Sequence, residues 1–213
     1  MIKRNASVAI ISSLIIISSC ANLPPVAYVD ITSSLYRQAF GFKDTVISQD
    51  YYDQFEYSFL RAQLGKSQDV ILVLAFVKND IYEWVSSDQI SIFTRDGRII
   101  ETRGLPHDMK IIKDRRNLDD LDQGNTFYEK INFTFPSLYL ASYVSELSKE
   151  NNYRYTFLGA EEMGYKIFEK ASIKEIGWSI KNQYIYSASG RPVSTIQELH
   201  PSLPQVKLDF YIK

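Results

Sequence analysis

Residues 70–106 read VILVLAFVKNDIYEWVSSDQISIFTRDGRIIETRGLP, a stretch in which apolar runs alternate with turn residues four times over. Val70 to Val77 is an unbroken apolar run, which predicts a strand covered on both faces, and Lys78-Asn79-Asp80 interrupts it with turn formers. Ile81 to Ser86 runs back. After Ser87-Asp88, Gln89 to Thr94 leads into Asp96-Gly97, a pair suited to the positive φ angles of a two-residue hairpin turn, and Arg98 to Arg103 returns. With Asp96 and Gly97 as the loop, Arg95 faces Arg98, Thr94 faces Ile99 and Phe93 faces Ile100. Phe93 and Ile100 then share one face, with Ile90, Ile92 and Ile99 on the other. Arg95 and Arg98, flanking the turn, are expected to be solvated. Both faces are partly apolar, so the meander is covered on its second side or belongs to a sheet curling into a barrel.

The N-terminus sets the compartment. Lys3 and Arg4 precede the apolar stretch Val8 to Ile17, too short to span a bilayer comfortably, and Ser18-Ser19-Cys20 follows. This is the grammar of a secretory signal peptide over residues 1–19. Ile17-Ser18-Ser19-Cys20 resembles the bacterial lipobox, in which the cysteine becomes the lipidated first residue. Cys20 is the only cysteine, so no intramolecular disulfide exists, and lipid attachment accounts for it better than redox chemistry. Each buried methylene contributes about 0.8 kcal/mol, so several acyl chains hold a protein on a membrane essentially permanently. The resemblance brings a sorting rule in which aspartate after the cysteine favours the inner membrane. Ala21 therefore points to the periplasmic face of the outer membrane.

Without Lys3 and Arg4 the chain keeps 22 of its 24 basic residues against 25 acidic ones, a formal charge of −3. No basic field is offered to nucleic acid or anionic headgroups. The 15 tyrosines and 12 phenylalanines against 9 glycines favour pleated structure. Residues 20–29, with Pro24-Pro25, read as a lipidated tether, and residues 30–213 as a single, mainly β domain. Ser34 to Phe40 predicts a short N-terminal helix capped by Thr32 or Ser33. Tyr57 to Leu64 predicts a strand entering the meander. Later strands are predicted at Phe127–Phe135, Leu138–Leu147, Tyr153–Leu158, Lys166–Ile176, Trp178–Tyr186 and Val206–Ile212. In the first of these, Phe127, Glu129, Ile131, Phe133 and Phe135 alternate with Tyr128, Lys130, Asn132 and Thr134, the pattern of a half-buried strand. Pro201 and Pro204 bracket an extended connector. The architecture expected is an antiparallel meander curling into a barrel-like domain.

Residues suited to chemistry are sparse. His107 and His200 are the only imidazoles, each beside a proline in a connector, and are read as surface or loop residues before catalytic bases. No serine sits in a G-x-S-x-G elbow. Glu83, Asp88 and Asp96 lie near meander turns, where a glycosidase would need two carboxylates about 5 to 9 Å apart. Asp96 is already explained as a turn former. Asp120, Asp122 and Gly124 imitate part of an EF-hand loop, but the remaining ligand spacing fails, so Asp114 to Gly124 reads as a solvated charged excursion. Trp84 and Trp178 suit core packing before sugar stacking. Arg95, Arg98 and Arg103 are either a solvated edge or a surface for an anionic polymer. No cofactor or metal is expected.

Glu83-Trp84-Val85-Ser86-Ser87-Asp88, Arg95-Asp96-Gly97-Arg98 and Gly104-Leu105-Pro106 resemble the signature region of the group 4 capsule polysaccharide lipoprotein family, GfcB/YjbF. Asn182-Gln183-Tyr184-Ile185-Tyr186, Gly190, Ser194, Gln197, Pro201 and Val206 to Ile212 resemble its closing region. The chain departs from the family at Ile185, where a tryptophan is common, and at Gln89, where a glycine is common. The resemblance implies an outer-membrane lipoprotein with a barrel-like domain, working with polysaccharide export proteins or the polymer itself. It carries over no catalytic residues. Two functions of different class follow: a non-enzymatic accessory to exopolysaccharide or capsule assembly and export, or a periplasmic glycosidase-like enzyme that modifies the polymer.

Overall fold

The computed structural model describes residues 46–112 and 126–213. The signal peptide, Cys20, the tether, the helix expected over Ser34–Phe40 and the charged segment Asp114–Gly124 lie outside the described residues. A helix that the sequence reading missed, α1 (Gln49–Gln54), opens the described chain, and the Ser48 side chain caps it by accepting the Tyr51 N–H at 3.2 Å.

Twelve strands follow. They are β1 (Phe59–Leu64), β2 (Val70–Lys78), β3 (Ile81–Val85), β4 (Ser91–Arg95), β5 (Arg98–Arg103) and β6 (Met109–Ile111). Then come β7 (Thr126–Phe133), β8 (Leu138–Phe157), β9 (Ala160–Ile173), β10 (Trp178–Ser187), β11 (Pro192–Gln197) and β12 (Val206–Tyr211). Each pairs antiparallel with its successor and β12 closes onto β1, so the meander becomes a closed barrel. Inward residues fill the interior of the closed sheet, and on the outer side Ile47, Tyr52 and Phe55 pack with Phe59 and Ile71.

Several expectations are corrected. The turn at Asp96 (φ +48°) and Gly97 (φ +74°) holds, as do the pairs Arg95 with Arg98 and Thr94 with Ile99. Beyond them a bulge intervenes, and Phe93 lies opposite Glu101 instead of Ile100. The extra residue turns both Ile99 and Ile100 into the core and leaves Phe93 half-buried, with the Arg103 guanidinium 4.4 Å from its ring centroid. β2 is not covered on both faces. Leu72 is buried and Val70, on the same side, lines an open apolar recess, whereas Val73 and Phe76 are exposed on the outer wall. Lys130, Lys170 and Lys181 stand exposed on that same wall in mid-strand, positions at which a lipid-facing barrel would incur about 2–4 kcal/mol each. The segments 138–147 and 153–158 form one strand of 20 residues, and β11, which starts at Pro192, is a strand the sequence reading does not anticipate.

The barrel core gathers Leu72, Trp84, Ile92, Ile99, Ile131, Phe133, Ile173, Ile180, Leu208 and Phe210. Trp84 is a core residue, as its pattern predicted, and its indole N–H donates to the Thr94 hydroxyl at 2.8 Å.

β8 and β9 outrun their neighbours. β10 ends where Ser187 meets Gly164, and from the Tyr153–Gly164 pair outward the two strands continue as a two-stranded arm to the turn at Leu158-Gly159. A bulge at Asn152 (φ +58°) bends it. The arm's end packs Phe157 on Tyr211, with ring centroids 5.8 Å apart, in a second core with Phe59, Ile47 and Tyr52. Gly164 is the hinge. A Cβ there would lie 1.9 Å from the Tyr186 carbonyl oxygen and 3.0 Å from the Tyr155 ring. Gly164→Ala should therefore destabilise by about 3 kcal/mol or more, because the obstruction is backbone. A lowered thermal midpoint together with faster proteolytic cutting at Leu158-Gly159 is the expected result; unchanged protection would show that the arm does not depend on this contact.

Candidate functional site

The interior of the barrel holds charge. Arg98, expected to be solvated, is 2% exposed and reaches inward, donating from Nη1 to Glu129 Oε1 at 3.0 Å and from Nη2 to Glu129 Oε2 at 2.7 Å. The same Nη2 lies 3.4 Å from Glu169 Oε1. Glu169 also accepts from the Tyr184 hydroxyl at 2.5 Å, Asn182 Nδ2 at 2.9 Å and the Tyr143 hydroxyl at 3.2 Å. Burial alone favours loss of the guanidinium proton, but Glu169, Tyr143 and Glu129 outweigh it and hold the Arg98 pKa well above its ordinary value. The turn beside Arg98 is tied across the barrel as well. Tyr186 donates to the Asp96 carbonyl at 2.7 Å, Gln197 Nε2 to the Gly97 carbonyl at 2.9 Å, and Ile99 N to Gln197 Oε1 at 2.9 Å. This network fills its part of the interior. The void beside it is about 10 Å³, no more than one water, so it offers no room to a substrate. An apolar recess of about 200 Å³, lined by Leu72, Ile92, Leu199 and Val206 among others, lies elsewhere in the barrel.

His107 and His200, in separate connectors, come together: their rings stack 4.6 Å apart at 15°. His200 is not a surface residue but is 2% exposed, with Phe133 edge-on at 5.0 Å. Its Nδ1 accepts from Ser202 N at 3.0 Å, and His107 Nδ1 faces the Phe135 carbonyl at 2.6 Å, where it donates. Burial first and His107 second lower the His200 pKa, so its imidazole is neutral. Neither ring is oriented by a carboxylate, the partner a triad base requires. Asp88 lies in the turn before β4 and Asp96 in the turn after it, and the strand alone spans about 13 Å by its rise, too far for a glycosidase pair. Among the described residues no group of three or more histidine, cysteine, aspartate or glutamate side chains forms a metal site.

The recess with room and mixed chemistry lies under the arm, where the ends of β10, β11 and β12 meet. Its volume is about 160 Å³, and Tyr52, Tyr155, Phe157, Glu162, Arg191 and Phe210 are among its lining residues. Strand pairing sets Tyr155 opposite Glu162, and the phenol donates to Glu162 Oε2 at 2.7 Å. Burial and that carboxylate push the Tyr155 pKa up to about 12, so the group stays a neutral donor. The turn Ser187–Arg191 is closed by Ser187 N donating to the Arg191 carbonyl at 2.9 Å and Arg191 N donating to Ser187 Oγ at 3.1 Å, which presents the exposed Arg191 side chain to the recess. Aromatic faces, a carboxylate, a phenol and a guanidinium in one shallow cleft suit a polyhydroxylated ligand, with rings for packing and charged groups for orientation. The sequence reading missed this set because Tyr155 and Glu162 become neighbours only through the hairpin, and Arg191 only through the bend of the arm.

Two outcomes follow. Arg98→Met leaves two buried carboxylates without their counter-charge and should lower stability by about 3–5 kcal/mol in urea unfolding, far more than the solvated-edge reading of Arg98 allows. Tyr155 and Tyr211 both titrate at about 12 when folded, against 10.0 for the ordinary phenol. The folded state thus holds their protons more tightly. Their contribution is fully present below pH 10 and is lost as pH rises from 10 through about 12. Tyr155→Phe should flatten part of that alkaline loss, read by thermal midpoints across the range.

Comparison with known proteins agrees with this geometry. The model of the group 4 capsule polysaccharide lipoprotein family (gfcB, YjbF) matches residues 32–210. A crystal structure of the hypothetical lipoprotein YmcC from Escherichia coli (K12) superposes with a TM-score of 0.69 at 17% identity, covering 91% of this chain and 98% of that one, a likeness of fold. No curated protein matches the chain. With the match running over most of its length, the chain belongs to the group 4 capsule polysaccharide lipoprotein family.

Proposed function

We propose that this protein is a non-enzymatic lipoprotein, held by lipid on Cys20 at the periplasmic face of the outer membrane, that assists assembly or export of a capsule or exopolysaccharide by contacting the polymer through the cleft under the β8–β9 arm. Family membership supports the link to capsule polysaccharide and to a lipid anchor. The observation that carries the mechanism is the division of the carboxylates. Glu129 and Glu169 are locked in the barrel interior on Arg98, whereas the cleft has Glu162 as its single carboxylate among the described lining residues. Glycoside hydrolysis needs two carboxyl groups about 5 to 9.5 Å apart on either side of the scissile bond. The cleft supplies one, already hydrogen-bonded to Tyr155, together with aromatic faces, a composition for holding a sugar and not for cutting it.

The test is polymer at the cell surface, measured beside protein abundance. Cys20→Ser should block lipoprotein processing and lower surface polymer. Tyr155→Ala, at normal abundance, should lower it several-fold, while His107→Ala and Asp88→Ala should leave it unchanged. Collapse of polymer output in either of the last two variants, at normal abundance, would instead favour the enzymatic reading, since removing a catalytic group abolishes turnover.

A further inference from the structure

The cleft under the arm carries one negative and one positive side chain, Glu162 and Arg191. Its carboxylate and its guanidinium are not joined to each other. Glu162 Oε2 is taken by the Tyr155 hydroxyl at 2.7 Å, and no ion pair engages the Arg191 guanidinium among the described residues. Arg191 is exposed, yet it lies close enough to Tyr155 for its charge to act on that buried phenol. The aromatic side chains of Tyr52 and Phe157 also line the recess, and Phe157 is held in place by its stack on Tyr211. Tyr52 is likewise fixed, its hydroxyl donating to the Ile212 carbonyl at 3.1 Å.

Resting on the polysaccharide reading, we infer that the cleft binds an acidic sugar unit, a uronic-acid-type residue whose carboxylate pairs with Arg191 and whose ring hydroxyl donates to Glu162. A planar guanidinium takes a carboxylate in a two-pronged, charge-assisted contact that an ester or a neutral sugar does not reproduce. Glu162 keeps one oxygen beyond the Tyr155 bond, and this oxygen accepts from a hydroxyl but repels a second carboxylate. The pairing of groups therefore sets orientation as well as charge. At about 160 Å³ the cleft is well below the roughly 300–1,000 Å³ of pockets that enclose whole small molecules, so it takes one unit of a chain and leaves the rest outside. A polymer gripped one unit at a time is bound weakly at each site and released readily, as an export accessory requires.

The experiment uses the full-length lipidated protein in neutral detergent micelles, with trigalacturonic acid and its methyl ester as probes, followed by calorimetry and by the tyrosine resonances in NMR. The acid should bind at least tenfold more tightly than the ester, and added salt should reduce the difference. Arg191→Gln should abolish the difference, and Arg191→Lys should restore part of it. Glu162→Gln, which keeps an acceptor for Tyr155 but removes the negative charge, should widen it. Equal binding of acid and ester, indifference to Arg191→Gln, or no binding of either probe overturns the inference. So does displacement of the acid by phosphatidylglycerol vesicles with the same Arg191 dependence, which would assign the guanidinium to a lipid headgroup. In cells, normal surface polymer in Arg191→Gln beside a loss in Tyr155→Ala would sink the acidic-sugar inference while leaving the polymer-contact reading standing.

Discussion

Arg98 is the constraint from which the interior of the barrel follows. A closed sheet of twelve strands encloses more space than a small barrel, whose inward side chains meet at the axis. Here the space is taken by the tip of the β4–β5 hairpin, drawn inward so that Arg98 reaches Glu129 on β7 and Glu169 on β9. Buried charges are tolerable only when paired and otherwise hydrogen-bonded, and this set meets the condition through Tyr143, Asn182 and Tyr184. The network touches five strands, so it pins their relative positions more strictly than apolar packing would, since a slip of one residue would strand a charge.

The same tip connects the lumen to the cleft. Gly97 lies buried against Pro192, to the point that a Cβ on it would be 2.8 Å from the proline Cβ, and Pro192 begins β11 and lines the recess under the arm. Positive φ at Gly97 already favours glycine, and the proline contact makes a side chain there doubly unwelcome. The cleft under the arm is thus where aromatic and charged groups meet on one shallow surface, whereas the larger recess beside Leu72 and Val206 is lined largely by apolar side chains.

Much of the fold was legible in the chain because strand periodicity is local. The alternation of Phe127, Glu129, Ile131 and Phe133 against Tyr128, Lys130 and Asn132 predicted the inward face of β7, and the structure buries Glu129, Ile131 and Phe133 and half-buries Phe127; Phe135, expected on the same face, is exposed because β7 ends at Phe133. The alternation also contained the clue to the lumen network: a glutamate on an apolar face requires a buried cation, and only the pairing of distant strands identifies it as Arg98. Asp96-Gly97 was readable as a turn for the same local reason. The Phe93–Ile100 pairing failed because the bulge at Ile99 and Ile100 is set by packing across the barrel and by Gln197, a residue 98 positions away from Ile99.

The sequence by itself determined most of the strands, because strand periodicity is local, but not α1, β11 or the continuity of β8 through residues 138–157. It determined family membership through motifs spread over the chain, and its N-terminal pattern carries the expectation of a lipid anchor. Only the tertiary structure decided which charges are inside, because desolvation depends on what surrounds a side chain and not on its neighbours in sequence. It alone brought His107 to His200, turned Arg98 from rim to core, and assembled Tyr155, Glu162 and Arg191. Those three lie on an arm and a turn whose meeting depends on the missing Cβ of Gly164, a contact between backbones that no periodicity records.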